Sequence, residues 1–320
     1  LKFLEKEIDY YSLRPEDLAV LGPRQEEDDF TIYNVGVSSG ANFIVLNQNP
    51  QNNRQNDKPF VKPYKLAWFR EKKFRQALSY AINREKIITV VYNQLGVPQY
   101  SCLSPSNVLF YSDNIKKYPY DPKQALLLLS QIGISDKDPD GILKDSDGKR
   151  VEIVLYTNAD NPLRITIATL IKKDFDDIGV KVHFLPLDFN NLVSKLTATN
   201  EWEMILIGLT GGIEPYFGKN VWSYTGTLHA WNPTKQPLDA YEEEIEDIFN
   251  DSVKTLDEEE RRRLFARWQY IVSDNLPFIY TVLPYSIFAV NNRFGNVYPT
   301  IHSGAFPEIE NVFIKKERSE

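Results

Sequence analysis

The sequence predicts an α/β fold in which strands alternate with amphipathic helices. Residues 204–209 form a continuous apolar run of strand length, as expected for a strand buried on both faces. Residues 42–47 are rich in β-branched and aromatic side chains, which also favours a strand. In residues 74–82, apolar side chains recur on one helical face. Alternation of such segments indicates a sheet that is covered by layers of helices.

Several predicted helices have recognisable ends. Asp121 and Asn161 each stand directly before a proline, a pattern typical of a capping side chain followed by the first helical residue. Gly133 and Gly179 are the expected ends of these two helices. The other predicted elements are helices over residues 83–92, 241–249 and 257–272 and strands over residues 180–184 and 278–283.

Composition and charge restrict the classes of function. The chain has 320 residues, a net charge of −7 and 42% hydrophobic residues, which is enough for a sizeable core. Its most basic run, residues 261–263, directly follows three glutamates, which indicates a solvated helix face, so nucleic-acid binding is not expected. The single cysteine, Cys102, excludes an intrachain disulfide and a thiolate metal cluster.

The sequence offers little support for catalysis or for a bound metal. The three histidines, His183, His229 and His302, are far apart and have no partners at helical metal-ligand spacing. We find no nucleophile elbow, zinc-protease motif or phosphate-binding loop. We therefore predict no catalytic residues and no cofactor.

One acidic segment partly matches a calcium-binding loop. Asp136, Asp138, Asp140 and Asp147 occupy positions one, three, five and twelve of that pattern, with Gly141 at the sixth. The ninth and twelfth residues depart from the usual ligand types. The alternative, which we favour, is a solvated acidic turn without a metal.

The loop after the strand at 204–209 is the main candidate for a ligand site. Loops at the carboxyl ends of strands are where open α/β sheets bind ligands, and this one combines glycines, a carboxylate and aromatic rings. The alternative is a packed loop whose aromatic side chains anchor it. The residues that we predict to bind a ligand here are Thr210, Gly211, Gly212, Glu214, Tyr216, Trp222, Tyr224 and Trp231.

Seven segments, in a consistent order, resemble family 5 of the extracellular solute-binding proteins, the peptide- and nickel-type receptors of ABC importers. They are NFIVLN (42–47), FRQALSYAINRE (74–85), YDPKQALLLLSQIGI (120–134), DGILKDSDGKRVEIVLYTN (140–158), NPLRITIATLIKKDFDDIGVKV (161–182), LPFIYTVLPYSIFAV (276–290) and IENVFI (309–314). Members of this family capture a ligand between two lobes and perform no chemistry on it.

The resemblance implies a periplasmic binding protein fold of type II, truncated at the N-terminus. The second lobe would be complete, and the first lobe only partial because the family's chains begin well before this one. Residues 1–39 would be a remnant of the first lobe, residues 40–285 the second lobe, and residues 286–320 a return segment to the first lobe.

The resemblance also implies a function. The protein would be the substrate-binding component of an ABC importer, taking up a peptide or another polar organic solute. It would act as a monomer in the periplasm or outside the cell, with ABC permease subunits as partners; a lipid anchor on the full-length protein is compatible with that location. Two alternatives are a hydrolase acting on a similar solute and a ligand-sensing domain of a regulator.

Dipeptide-binding members suggest one further site residue. They hold the peptide carboxylate with an arginine at the position of Asn158, and the peptide amine with an aspartate near the position of Gly212. Neither residue type is present here, although Glu214 follows two residues after Gly212. We therefore add Asn158 to the predicted ligand-binding residues and expect the usual dipeptide contacts to be changed.

Overall fold

The computed structural model describes residues 2–315 and contains two larger sheets and two short sheets of two strands each. The strands are β1 (Tyr10–Ser12), β2 (Phe30–Val37), β3 (Ala41–Leu46), β4 (Gly96–Pro98), β5 (Asp136–Lys137), β6 (Leu143–Lys144), β7 (Glu152–Asn158), β8 (Lys181–Leu187), β9 (Met204–Leu209), β10 (Phe278–Tyr280), β11 (Val282–Asn291), β12 (Phe294–Gly295) and β13 (Phe313–Ile314).

Helices of very different length surround the sheets. They are α1 (Leu18–Leu21), α2 (Pro63–Arg70), α3 (Lys72–Ala81), α4 (Arg84–Tyr92), α5 (Pro122–Ser130), α6 (Pro162–Asp177), α7 (Phe189–Ser194), α8 (Lys219–Trp222), α9 (Ala240–Ser252) and α10 (Glu258–Asn275). Within residues 2–315, none of them combines the length and the apolar character that a membrane crossing requires.

The main sheet has five strands in the order β10-β3-β9-β7-β8. Strand β7 runs parallel to both of its neighbours, whereas β3 is antiparallel to β9 and β10. Side chains of β3 alternate between two hydrophobic cores: Ile44 and Leu46 enter one, and Phe43 and Val45 enter the other. A sheet with a core on each face is the layered α/β arrangement that the sequence predicts.

Each core packs one group of helices against the sheet. Helices α2 to α6 supply the first core, in which Phe74 and Phe175 are fully buried. Helices α9 and α10 supply the second, which contains Phe249 and Phe265. Burial of each such ring contributes about 1.5–3 kcal/mol relative to exposure. The second core also supports the loop that follows β9.

The predicted helix starts are confirmed. The side chain of Asn161 accepts a hydrogen bond of 3.0 Å from the backbone N–H of Arg164, and Asp121 caps α5 in the same way. The strand predicted over residues 278–283 is instead interrupted at Thr281, which separates β10 from β11. There the backbone N–H and the hydroxyl of Thr281 both donate to the carbonyl of Asn42, at 2.9 Å each.

The second sheet is built from the two ends of the chain. Its central strand, β11, pairs with β1 and β2, while the first three residues of β11 pair with β4. Two chain segments pass directly between the sheets: the link between β2 and β3, and the β10–β11 segment, through Thr281. They lie side by side, because the backbone N–H of Ser38 donates to the carbonyl of Pro284 at 2.8 Å.

Candidate ligand-binding site

A cavity of about 430 Å³ opens at the carboxyl end of β9. Its walls come from the link between the two sheets, from the loop after β9, and from aromatic residues of the second core. Five of the residues predicted to bind a ligand line it: Thr210, Gly211, Gly212, Glu214 and Trp222. Tyr216, Tyr224, Trp231 and Asn158 are not part of this lining.

The backbone of the loop after β9 packs closely on the link between the sheets. A Cβ atom on Gly211 would lie 1.7 Å from the carbonyl oxygen of Ser39, so only glycine permits this approach. On the other side, the side-chain amide of Asn107 donates 2.7 Å to the carbonyl of Ile213. The exposed residues Thr210 to Gly212 are therefore held in place from both sides at the cavity wall.

Glu214 already has partners within the protein. Its carboxylate accepts 2.6 Å from Nη2 of Arg261 and 3.1 Å from the backbone N–H of Tyr216. The second bond caps the short helical turn Pro215–Gly218. The charge of Glu214 is thus compensated by Arg261, so a ligand ammonium would have to share this carboxylate.

Trp222 forms part of the cavity wall, and Trp231 lies behind it. Only 6% of Trp222 is exposed, and its ring packs edge-on against Trp268 with centroids 5.2 Å apart. Trp231 is fully buried, and its indole N–H donates 2.6 Å to Glu242. Trp231 therefore presents no surface to a ligand in this conformation, and it supports Trp222 by packing. Tyr224 is half-buried.

Phe217 lines the cavity although it is not among the residues predicted to bind a ligand. This ring is 84% exposed and lines the cavity, whereas the neighbouring Tyr216 packs partly against the second core. Leu209 and Leu228 add further exposed apolar surface to the rim. The sequence does not indicate which of the two adjacent aromatic residues faces outward, because the geometry of the capped turn decides the direction of each side chain.

A buried polar cluster anchors the loop that carries Trp222. His229 has Nδ1 3.0 Å from the carbonyl of Val221 and Nε2 3.3 Å from Oε1 of Glu242. Glu242 also accepts from Trp231 and from the backbone N–H of Leu238, at 2.6 Å each. Burial raises the pKa of Glu242, but these hydrogen bonds outweigh it and hold the pKa below its usual range.

Asn158 ends β7 near the same edge of the main sheet. Its Oδ1 accepts 2.9 Å from Nη1 of Arg164, and its Nδ2 donates 2.6 Å to Asp160. Asn158 is buried, so its side chain positions Arg164 at this edge.

Cys102, which lines the cavity, is held neutral because burial raises the pKa of its thiol well above the usual value.

The partial calcium-loop pattern corresponds to the hairpin of β5 and β6. Oδ1 of Asp138 accepts the backbone N–H groups of Asp140 and Ile142 at 2.9 Å each, and Oδ2 lies 3.1 Å from Arg150. Within residues 2–315, Asp136, Asp138, Asp140 and Asp147 do not converge into a group that could hold a metal ion. The carboxylate of Asp138 instead stabilises the turn.

A family model for the bacterial extracellular solute-binding proteins, family 5 Middle, matches residues 1–227, well over half of the chain. The chain belongs to this family. The predicted family is thereby confirmed, and five of the seven similar segments lie within the matched residues. The alternatives of a hydrolase and of a regulator's sensing domain receive no support.

Two curated relatives illustrate the relationship of this family 5 chain. It is 28% identical over 286 residues to a probable ABC transporter-binding protein of Deinococcus radiodurans, covering 85% of this chain and 46% of that protein. It is 34% identical over 136 residues to the oligopeptide-binding protein AppA of Bacillus subtilis, covering 42% of this chain and 25% of AppA. The family 5 chain thus spans less than half the length of both relatives.

Solved structures show the same fold. The periplasmic binding protein MelB of Agrobacterium fabrum, in complex with stachyose, matches with a TM-score of 0.81 at 20% identity, covering 100% of this chain and 50% of MelB. AppA of Bacillus subtilis, in complex with a nonapeptide, matches with a TM-score of 0.75 at 20% identity, covering 98% and 57%. The expected periplasmic binding protein fold is confirmed for this family 5 chain.

Proposed function

We propose that the complete protein is the substrate-binding component of an ABC importer, which captures a small peptide or another polar organic solute. The observation that carries this proposal is the cavity at the carboxyl end of β9. It combines exposed backbone at Thr210 to Gly212 with the rings of Trp222 and Phe217. Fixed backbone groups orient polar parts of a ligand, while aromatic faces cover its apolar parts.

The cavity adjoins the two segments that connect the sheets. Ser39, Gly40 and Ala41 of the first connecting segment line it directly. We assign residues 1–39 to a partial first lobe, residues 40–285 to the second lobe, and residues 286–320 to the return segment. In support, the first residues of β11 pair with β4, and pairing with β2 begins at Tyr285. Rotation about these paired segments would close a first lobe over the cavity.

The family also supports the remaining parts of the proposal. Its members are extracellular solute-binding proteins, so we propose that the complete protein acts in the periplasm or at the outer face of the cell membrane. Its partners would be the ABC permease subunits, which bind the closed form, and the receptor would act as a monomer. No step in this cycle changes the ligand, so we propose no catalytic residue.

Native mass spectrometry of the complete protein, as purified, tests this function. We expect an added mass that disappears on denaturation and that identifies a peptide or another polar solute. A protein that is always free of solute, and that binds no member of a library of peptides and oligosaccharides, would contradict the proposal.

The site assignment has a separate test in Phe217→Ala. Because this ring is exposed, its removal should leave thermal stability unchanged and weaken binding of the identified solute about tenfold, as expected for a lost stacking contact. The matched control is Phe189→Ala, since Phe189 is also exposed, at 43%, but lies outside the cavity lining. If the two variants bind the solute with equal affinity, Phe217 is not part of the binding site.

A further inference from the structure

Two hydrogen-bond donors line the cavity at the carboxyl end of β9 without an acceptor in the protein. One is the indole N–H of Trp268 on α10, which is buried and has no hydrogen-bond partner among residues 2–315. The other is the hydroxyl of Tyr280 on β10. Tyr280 bonds to Arg84 only through its backbone carbonyl, and its hydroxyl has no partner in the described part of the chain.

Both donors belong to side chains on the cavity's side of the main sheet. Tyr280 pairs in register with Phe43, and both side chains belong to the second core. Trp268 belongs to that core as well, and the ring of Trp222 lies 5.2 Å from it and 5.4 Å from the ring of Phe278, between centroids. All five of these residues line the cavity, so one face of the protein carries them.

The exposure of the lining residues places these donors at the bottom of the cavity. Only 2% of Trp268 and 2% of Tyr280 is exposed, compared with 40% of Leu209 and 84% of Phe217 at the rim. A donor that is removed from water and has no acceptor destabilises the protein. An oxygen acceptor on a bound solute would remove this cost at both positions.

Both donors are uncharged near pH 7. Burial raises the pKa of Tyr280 well above the usual value for a phenol, and the neighbouring Cys102 thiol raises it further, so the hydroxyl keeps its proton. The indole nitrogen of Trp268 can only donate. Neither group therefore supplies a charge that would attract an ion.

The rest of the lining favours an uncharged ligand group. Among the described residues that line the cavity there is no lysine, arginine or histidine. Its one carboxylate, Glu214, is bonded to Arg261 at 2.6 Å. An anionic oxygen at this depth would lose its hydration without gaining a counter-charge, which is costly. A carbonyl or hydroxyl oxygen avoids that cost.

We propose that Tyr280 and Trp268 form a donor subsite at the bottom of the cavity, where the hydroxyl and the indole N–H each bind an uncharged oxygen acceptor of the solute. Ring contacts through Trp222 and Phe278 separate the two side chains, so each donor reaches a different oxygen of one solute. Carbonyl oxygens and hydroxyl oxygens both have the required chemistry. This inference rests on the proposed function.

Side-chain NMR of the complete protein tests the subsite with three small probes. Acetamide and sodium acetate have a similar size and differ in charge, and glycerol offers hydroxyl oxygens only. We expect saturable shifts of the Trp268 indole N–H signal and of the Tyr280 ring signals with acetamide, with glycerol or with both, but not with acetate. A response to acetamide alone assigns carbonyl acceptors, and a response to glycerol alone assigns hydroxyl acceptors.

The same spectra contain matched internal controls. The indole N–H of Trp202 and the hydroxyl of Tyr241 are also buried without a partner among the described residues, but both residues lie outside the cavity lining. Their signals report only the general effect of each probe. Shifts of Trp268 and Tyr280 no larger than those of the controls, or an equal response to acetate, would overturn the inference.

A variant provides the second measurement. Tyr280→Phe removes the hydroxyl and keeps the ring, so it should bind the solute that co-purifies with the wild type about tenfold more weakly, as expected for one lost hydrogen bond. Tyr241→Phe is the control and should keep the wild-type affinity. Equal affinities in the two variants would contradict the role of Tyr280. A wild type that never carries a solute would count against the proposed function, whereas the acetamide and glycerol titrations would still decide the subsite.

Discussion

Arg261 of α10 donates a hydrogen bond of 2.6 Å to Glu214, the carboxylate that lines the cavity. The same guanidinium donates through Nε to the carbonyl of Ser252, at the end of α9. The turn that presents Phe217 is therefore tied to two helices of the second core. As a result, Glu214 maintains the shape of the site before any ligand is present.

A double-mutant cycle measures this ion pair. Glu214→Gln and Arg261→Gln should each destabilise the protein by about 1 kcal/mol, with a coupling energy of similar size, since both side chains are less than a third exposed. The free energy of unfolding in urea gives each value. Glu260 and Arg263 form an exposed pair at 2.6 Å and are the control, for which we expect a coupling near zero. Equal coupling in the two pairs would contradict the structural role of Glu214.

The hydrogen bond from Trp231 to Glu242 has a matched control within the same chain. The indole N–H of Trp202 is buried without a hydrogen-bond partner among the described residues, whereas that of Trp231 donates 2.6 Å to a carboxylate. Replacement by phenylalanine removes a comparable volume at both positions. We expect Trp231→Phe to cost about 1–3 kcal/mol more than Trp202→Phe, because it also removes one of the buried hydrogen bonds to the Glu242 carboxylate. Equal losses in urea unfolding would show that packing alone matters at Trp231.

The pKa of Glu242 predicts a dependence of stability on pH. The folded-state pKa lies below the usual value of 4.5, so the ionised carboxylate stabilises the fold above that pH, and this contribution is lost as pH falls through the folded-state pKa.

The measurement is the free energy of unfolding of the wild type and Glu242→Gln from pH 6 down to pH 3, a range that extends to both sides of the usual glutamate pKa. The glutamine variant should be less stable at the upper end and should lose less stability towards the lower end. Parallel curves for the two proteins would mean that the Glu242 carboxylate is not the group that titrates.

The acidic hairpin gives a prediction that concerns calcium. Asp138→Ala should lower the free energy of unfolding by about 1 kcal/mol, because it removes the acceptor for two backbone N–H groups. Asp136→Ala, at an exposed position, should change it by less than about 0.5 kcal/mol. Added calcium should leave the melting temperature of all three proteins unchanged. A rise in the wild type that is lost in Asp136→Ala would favour the calcium-loop interpretation.

The sequence predicted most of the helices and their starting residues because these depend on nearby residues. Asn161 and Asp257 each accept a backbone N–H three residues along the chain, and such caps can be read directly from the sequence. The break at Thr281 was not predictable, because it depends on a carbonyl of a strand more than two hundred residues away.

The sequence by itself determined the α/β class, the family and the loop that borders the cavity, because periodicity, caps and ordered motifs are local properties. Only the tertiary structure decided which side chains of that loop reach the cavity. It turned Phe217 outward, buried Trp231, and paired Glu214 with Arg261, which lies 47 residues later. It also placed the guanidinium of Arg164 beside Asn158, at the edge of the sheet. These outcomes depend on packing and charge pairing between distant segments, which local patterns do not specify.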